Sequence, residues 1–579
     1  MKNAWEIVIR LRPALAVAAF AFVLLSLPSQ ILELYLIDIE TVRGVLTKEV
    51  GGDWKPSWQL LRETLPIQFA MAAGAIAMLM LWLCSAHLIC LNPERAKLGR
   101  GHQWLARALV IAIALAPISG VLSGLNNIRI SLPQIAPGNT ELLRPDVLQY
   151  MLLSAILLGI AAVALSVVTF MWLEGVAAIA RALFSRWGTV AGLGTILLIT
   201  AAIVVWPTVL PWGLGTQALV YVFLAALAFV LTWLSDVYRR TGWPVTVMVV
   251  AAALAFSWLG WSDNHKVEYK VGNAPPAELS RSFVDWLMSR GDRSWYAERN
   301  KAYPVYIVAA EGGGMYAGYH VAAWLGRLQD ACPGFAQHTF AISSVSGGSL
   351  GAGVFSTLAH RLATNGEHQG CTGGTGRFTE VARKFFENDL LAPLVGAALF
   401  PDFLQRLLPI PFKALDRARA LEEAFSASWD RSVSVLGAEA KGAEGMLKQS
   451  IQSVWSPTGA APALFLNTTS VAAGSRVTIS PVWFSQTSTA LHVATALCDN
   501  LRSVELSLVA AISLSARFPW LTPAGWLDRN DAGKPCPEKN ERNRVYLVDG
   551  AYFENSGLET AIETLRVELD CEPDRAVAT

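Results

Sequence analysis

Charge is what this sequence has least of. Asp, Glu, Lys and Arg make up 16% of its 579 residues, against about 25% in an ordinary soluble domain. The charges nearly cancel, to a formal +1 and a pI near 7.6, so there is no basic footprint for nucleic acid. Cysteine is scarce, with 7 residues, which excludes a small disulfide scaffold. No Cys and His residues stand at metal-ligand spacing, and no complete cofactor motif is present. Histidine numbers 8, and none follows Asp549. What is plentiful is apolar: 53% of residues are hydrophobic, 21 are Trp, and the mean hydropathy is +0.40. The balance is that of a membrane protein with room for a soluble domain.

The charge deficit is concentrated. Stretches free of Asp, Glu, Lys and Arg run over Pro13–Leu32, Thr64–Asn92, Ala108–Ile128, Val147–Leu173, Trp187–Ser235 and Thr241–Ser262. A spanning helix needs about 20 apolar residues, and the fifth stretch holds two, divided at Pro207 and Pro211. About seven spans are therefore expected in a transmembrane domain over 1–262. The first is too long for the core of a cleaved leader and reads as retained. Lys and Arg favour the side of the N-terminus, with eleven against six on the alternate loops, which puts the N-terminus inside. Seven spans would then carry the C-terminal domain outside, which in a bacterium is the periplasmic face of the inner membrane. A transporter would want ionisable residues within its spans, and these runs argue against one.

After Ser262 the composition becomes an ordinary polar and apolar mixture. Residues 263–302 read as a linker, and Phe283–Met288 reads either as an interfacial helix or as one packed on its own domain. Residues 303–579 are enough for one large α/β domain. Three β-branched runs there each stop at a chemically loaded turn. Val305–Ala310 precedes Glu311-Gly312-Gly313-Gly314. Thr339–Ser343 precedes Ser344-Val345-Ser346-Gly347-Gly348. Val545–Val548 precedes Asp549-Gly550. Helical stretches lie between them, so a mostly parallel sheet with helices on both faces is expected, its site at the strands' carboxyl ends.

Each turn has a competing reading. Gly312-x-Gly314-x-x-Ala317 fits a loose dinucleotide pattern, but its acidic partner, Asp330, falls at a helix end. A phosphate loop would need Gly-Lys-Ser/Thr, which is missing. Consecutive glycines also suit an oxyanion hole, since backbone N–H groups can converge at a helix N-terminus. Ser346 stands at the spacing of a nucleophile elbow, with Ser344 in place of the first glycine of G-x-S-x-G; a plain helix cap is the alternative. The order Ser, acid, His is impossible with Asp549 as the acid, so Asp549 itself reads as the base. His492 could serve only in a different order.

Val308–Gly318, Ile342–Gly351 and Val548–Gly557 resemble the three blocks of patatin-like phospholipases. Leu466-Asn467-Thr468-Thr469 is similar to that family's Asn-x-Thr strand, and Ala510–Pro519 to the segment before its catalytic Asp. The resemblance covers about residues 303–570. It implies a patatin-like α/β hydrolase domain with a Ser346–Asp549 dyad, an oxyanion hole of Gly312, Gly313 and Gly314 amides, a membrane lipid as substrate, and no cofactor or metal. The chain departs from the family at Glu311 (usually Asp or Ser), at Tyr316 (usually basic) and at Ser344. A catalytically silent lipid-binding or scaffold protein is the competing expectation. Apolar Leu390–Leu415 reads as a lid, a lipid-docking surface or a helix pair over the sheet, and Gly366–Gly376 as a flexible loop. Cys332–Cys371 and Cys498–Cys536 are the expected disulfides, with Cys571 left over.

Overall fold

The computed structural model describes residues 2–28, 34–35, 38–39, 64–90, 100–135, 140–272, 277–371, 373–374, 376–483, 491–497, 503–518, 521–532 and 543–569. The chain divides into two units. A helical unit comprises Met1–Ser262 and Leu391–Pro411, and a sheet unit comprises Asp263–Leu390 and Phe412–Thr579.

The helical unit contains α1 (Lys2–Ser26), α2 (Leu65–Cys90), α3 (Arg100–Ile135), α4 (Thr140–Leu183), α5 (Arg186–Val205), α6 (Val209–Leu214), α7 (Thr216–Thr241) and α8 (Val245–Trp258). Six of these are long and apolar enough to cross a membrane. The apolar run expected to supply the seventh span yields the 14-residue α8, about 21 Å at 1.5 Å per residue against a core of about 30 Å. Pro244 stands at its N-cap and Gly260, at φ +70°, lies just past its end. Pro207 and Pro211 fall between α5 and α7 as the sequence suggests. Helices α2 and α7 run the same way, with Gly74 against the Tyr221 ring and His87 Nε2 2.6 Å from Asp236 Oδ2. That buried pair ties the two helices by a polar contact.

The segment Leu390–Leu415 falls largely in this unit. Phe400 and Phe403 both meet Phe223 of α7 edge-on, with ring centroids 5.9 and 5.5 Å apart. Leu219, Phe223, Ala392 and Phe400 form one buried cluster. Residues 391–411 therefore pack with the helices of this unit.

Among the described residues, seven strands form the main sheet: β1 (Tyr306–Ala310), β2 (Thr339–Val345), β3 (Ala463–Ser470), β4 (Arg476–Ile479), β5 (Leu491–His492), β6 (Gly525–Asp528) and β7 (Arg544–Asp549). Their order is β6-β7-β3-β2-β1, with β4 beside β3 and β5 beside β4. The sheet is mixed rather than mostly parallel. Pairs β1–β2, β2–β3 and β4–β5 are parallel, and β3–β4, β3–β7 and β6–β7 are antiparallel. Both β2 and β3 are buried along their whole length, as continuous apolar and small runs should be when covered on both faces.

Helix Leu279–Met288 buries Trp286 completely, and Phe283 and Trp286 both lie against Phe340 at 5.1 and 5.2 Å. Packing on its own domain is therefore its role. The chain passes into the sheet unit twice, after Ser262 and after Pro411, and the two crossings are stitched together. Asn264 Nδ2 donates to Phe412 O (3.1 Å), and His265 Nδ1 lies 2.8 Å from Asp416 Oδ1. Cys332 and Cys371 are bonded, so the glycine-rich loop is pinned rather than free. Cys498, Cys536 and Cys571 lie outside the described residues.

Candidate active site

Strand β3 is the key to the site. Its first half pairs in parallel with β2, ending at Val345 opposite Asn467. Its last residues pair antiparallel with β7, ending at Asp549 opposite Thr468. Its other edge is taken by β4 at Leu466–Thr469, so β2 and β7 share one edge of β3 and run head to head along it. Their ends abut on the neighbouring residues Asn467 and Thr468. The residue after β2 is Ser346 and the last of β7 is Asp549, and Ser346 Oγ donates to Asp549 Oδ2 at 2.6 Å across 203 residues of sequence.

Ser346 has φ 53° and ψ −125°. Such a conformation costs a non-glycine residue on the order of 1–3 kcal/mol, and it turns the chain sharply from β2 into helix α10 (Gly347–Leu362). The next residue makes the turn possible. A Cβ on Gly347 would stand 1.8 Å from Gly314 O. Only glycine permits that approach, which brings the serine turn onto the glycine loop. Ser344, the other hydroxyl of the motif, is fully buried, and its Oγ accepts from Ser349 Oγ at 3.1 Å.

Asp549 is fully buried. Burial pushes its carboxyl above the usual carboxylate range, offset in part by the hydrogen bonds from Ser346 and from the Ala551 N–H. Oδ1 accepts the latter at 2.9 Å, which leaves Oδ2 for the serine. A desolvated carboxylate with one oxygen held and the other on a hydroxyl is equipped as a general base.

The glycine loop departs from expectation at one residue. Gly312 N–H donates to Asn555 O at 2.9 Å, so it is spent on structure. Its lack of a side chain matters instead, because a Cβ there would lie 3.0 Å from Ser346 Cβ and 2.3 Å from Asn555 Oδ1. The remaining amides of the loop, those of Gly313 and Gly314, stand at the start of α9 (Gly314–Ala331). First-turn amides have no intrahelical acceptor, and a Cβ on Gly314 would meet open space. Glu311 and Tyr316 are exposed on either side.

The competing readings of these turns lose their residues. Asp330 caps the helix Arg377–Phe386, accepting from Phe378 N (3.1 Å) and Thr379 N (3.0 Å), so it is not placed as a ribose ligand. His492 has both nitrogens engaged. Its Nε2 is 3.1 Å from Ser480 O and its Nδ1 accepts from Ala494 N at 3.3 Å, and burial lowers its pKa. It is a structural histidine whose two nitrogens serve the backbone. No group of three or more His, Cys, Asp or Glu residues suited to a metal occurs among the described residues.

No family model, curated protein or solved structure matches this chain.

The Asn467-Thr468-Thr469 run, one of the stretches on which the family resemblance rests, supports the site. Asn467 Nδ2 donates to Ser343 Oγ (3.0 Å) and Ser344 O (3.1 Å), and its Oδ1 accepts from Thr560 Oγ1 (2.7 Å). Thr468 Oγ1 donates to Val548 O (2.5 Å), and Thr469 Oγ1 to Asp549 O (3.0 Å). The Asn-Thr-Thr run thus fastens both converging strands. Asn555 is visible only in three dimensions, since nothing in Glu554-Asn555-Ser556 announces a partner for Gly312.

Proposed function

We propose that this chain is a membrane-anchored serine acyl hydrolase of patatin-like type, cleaving carboxylic esters of lipids through Ser346 and Asp549. The observation that carries the reading is the 2.6 Å hydrogen bond from Ser346 Oγ to Asp549 Oδ2, made by a serine in a left-handed turn. Ser346 Oγ attacks the ester carbonyl as its proton passes to Asp549. The tetrahedral oxyanion is met by the Gly313 and Gly314 amides at the start of α9, where the helix dipole also favours negative charge. Collapse expels the alcohol with the proton from Asp549 and leaves an acyl-Ser346. Water, deprotonated by Asp549, then releases the fatty acid and restores the hydroxyl.

Two further features support a lipid as the substrate. Exposed Phe518 and Tyr552 stack at 5.9 Å, and each is within a few residues of Arg517 or Asp549, so the turn of the base carries an aromatic rim suited to acyl chains. Six helices of spanning length would hold such a site near an insoluble substrate and raise its effective concentration.

The test is product analysis. Full-length protein in phospholipid nanodiscs is compared with Ser346→Ala for release of fatty acid and lysolipid. Release by the wild type alone supports the hydrolase. Equal, background-level release by both favours the silent lipid-binding protein.

A further inference from the structure

We infer that Ser515 is a positioning residue for the nucleophile, an inference that rests on reading Ser346 as that nucleophile. Helix α12 (Leu508–Ser515) ends beside the point where β2 and β7 meet. Ser346 precedes the first helical residue of α10, so its N–H needs an acceptor from elsewhere in the fold. Ser515 Oγ supplies it at 3.2 Å. The hydroxyl of Ser515 is not a free rotor. It donates its one proton to Asn467 O at 2.6 Å, which directs a lone pair at Ser346. Ser349 Oγ lies 2.8 Å from it as a further hydroxyl contact.

The same turn holds the base. Two residues on, Arg517 O accepts the Asp549 N–H at 3.0 Å. The Arg517 side chain is buried, with Nη2 3.4 Å from Glu422 Oε1 and Nη1 3.4 Å from Pro523 O, which anchors the turn to α11 (Arg417–Val433). One short segment thus grips the backbone amides of nucleophile and base. Their 2.6 Å contact depends on Ser515 as well as on the strand ends. Ser515 is fully buried and acts through the Ser346 main chain.

Removing this hydroxyl deletes almost no packing volume. It leaves the Ser346 N–H and Asn467 O without their partner and frees the elbow to relax from its left-handed conformation. The expected consequence is loss of aligned ground-state geometry, which lowers kcat while leaving substrate binding alone.

The experiment uses the full chain in nanodiscs, a p-nitrophenyl ester of medium chain length, a fluorophosphonate probe, and hydrogen exchange of the peptide over residues 343–350. Ser515→Ala is expected to lower kcat and the labelling rate about tenfold, with KM within about twofold and Tm lowered by only a few degrees, and to speed exchange of the elbow peptide. Ser515→Thr, which keeps the hydroxyl, is expected to recover most of the rate. An Ala variant with kcat within about threefold of wild type, or one whose elbow peptide exchanges at the wild-type rate, overturns the positioning role. A wild type inert to both ester and probe overturns the hydrolase reading as well, so the two failures are told apart.

Discussion

Replacing Asp549 by Asn separates the proposed base from the fold. The side chains are nearly isosteric, and the Asn Oδ1 can still accept the Ala551 N–H that Asp549 Oδ1 accepts at 2.9 Å. The amide facing Ser346 Oγ can donate a hydrogen bond but cannot take a proton. What is lost is the proton acceptor, whose usual worth is about 10²–10⁴ in rate, or about 2.7–5.4 kcal/mol at 1.36 kcal/mol per decade. Stability should move the other way. The Asp549 pKa is raised in the fold, chiefly by burial. A carboxyl of that kind stabilises the fold when protonated, below its unfolded pKa, and that contribution is lost as pH rises through the folded value. At neutral pH the wild type therefore carries a desolvated carboxylate that Asn removes. Asp549→Asn should melt at the wild-type temperature or above it at neutral pH, with the difference shrinking as pH falls through the folded pKa. Initial rates with a soluble ester and melting curves on the same preparations measure both. A folded Asn variant turning over within about threefold of wild type would refute the base assignment.

Ser346→Ala is expected to abolish fluorophosphonate labelling while Ser344→Ala retains it, because the Ser344 hydroxyl is buried against Ser349; in-gel fluorescence checks this. In the wild type, log(kcat/KM) should fall with unit slope on the acid side, with a midpoint above the ordinary carboxylate value of about 3.9, since the proposed base acts in its ionised form; a pH–rate profile reads it. His492→Ala should leave kcat/KM within about threefold and lower Tm instead, since both ring nitrogens serve backbone groups and neither faces the serine. Replacing Cys332 and Cys371 together by Ser opens a loop of sequence separation 39 and should lower stability by up to about 4 kcal/mol in the chain-entropy account, measured by denaturant titration of the full chain in detergent.

What the sequence determines by itself is whatever a few neighbouring residues decide. Most of the long charge-free runs make spanning-length helices, because each helix satisfies its own backbone. Pro207 and Pro211 divide one run because proline removes a donor and clashes within a helix. Ser346-Gly347-Gly348 and Asp549-Gly550 are legible as turns for the same local reason. Tertiary structure decides the rest. The antiparallel direction of β7 is invisible in its own residues, since β-branched runs suit either direction. Yet that direction abuts β7 on β2 at Asn467 and Thr468 and so makes the Ser346–Asp549 contact. Asn555 takes the Gly312 amide from 243 residues away, and Ser515 reaches Ser346 across 169. Residues 391–411, apolar in either setting, group with helices far earlier in the chain, Ala392 and Phe400 clustering with Leu219 and Phe223. Burial of an apolar segment is non-directional, so composition says that it must be covered, and only the packed chain says by what.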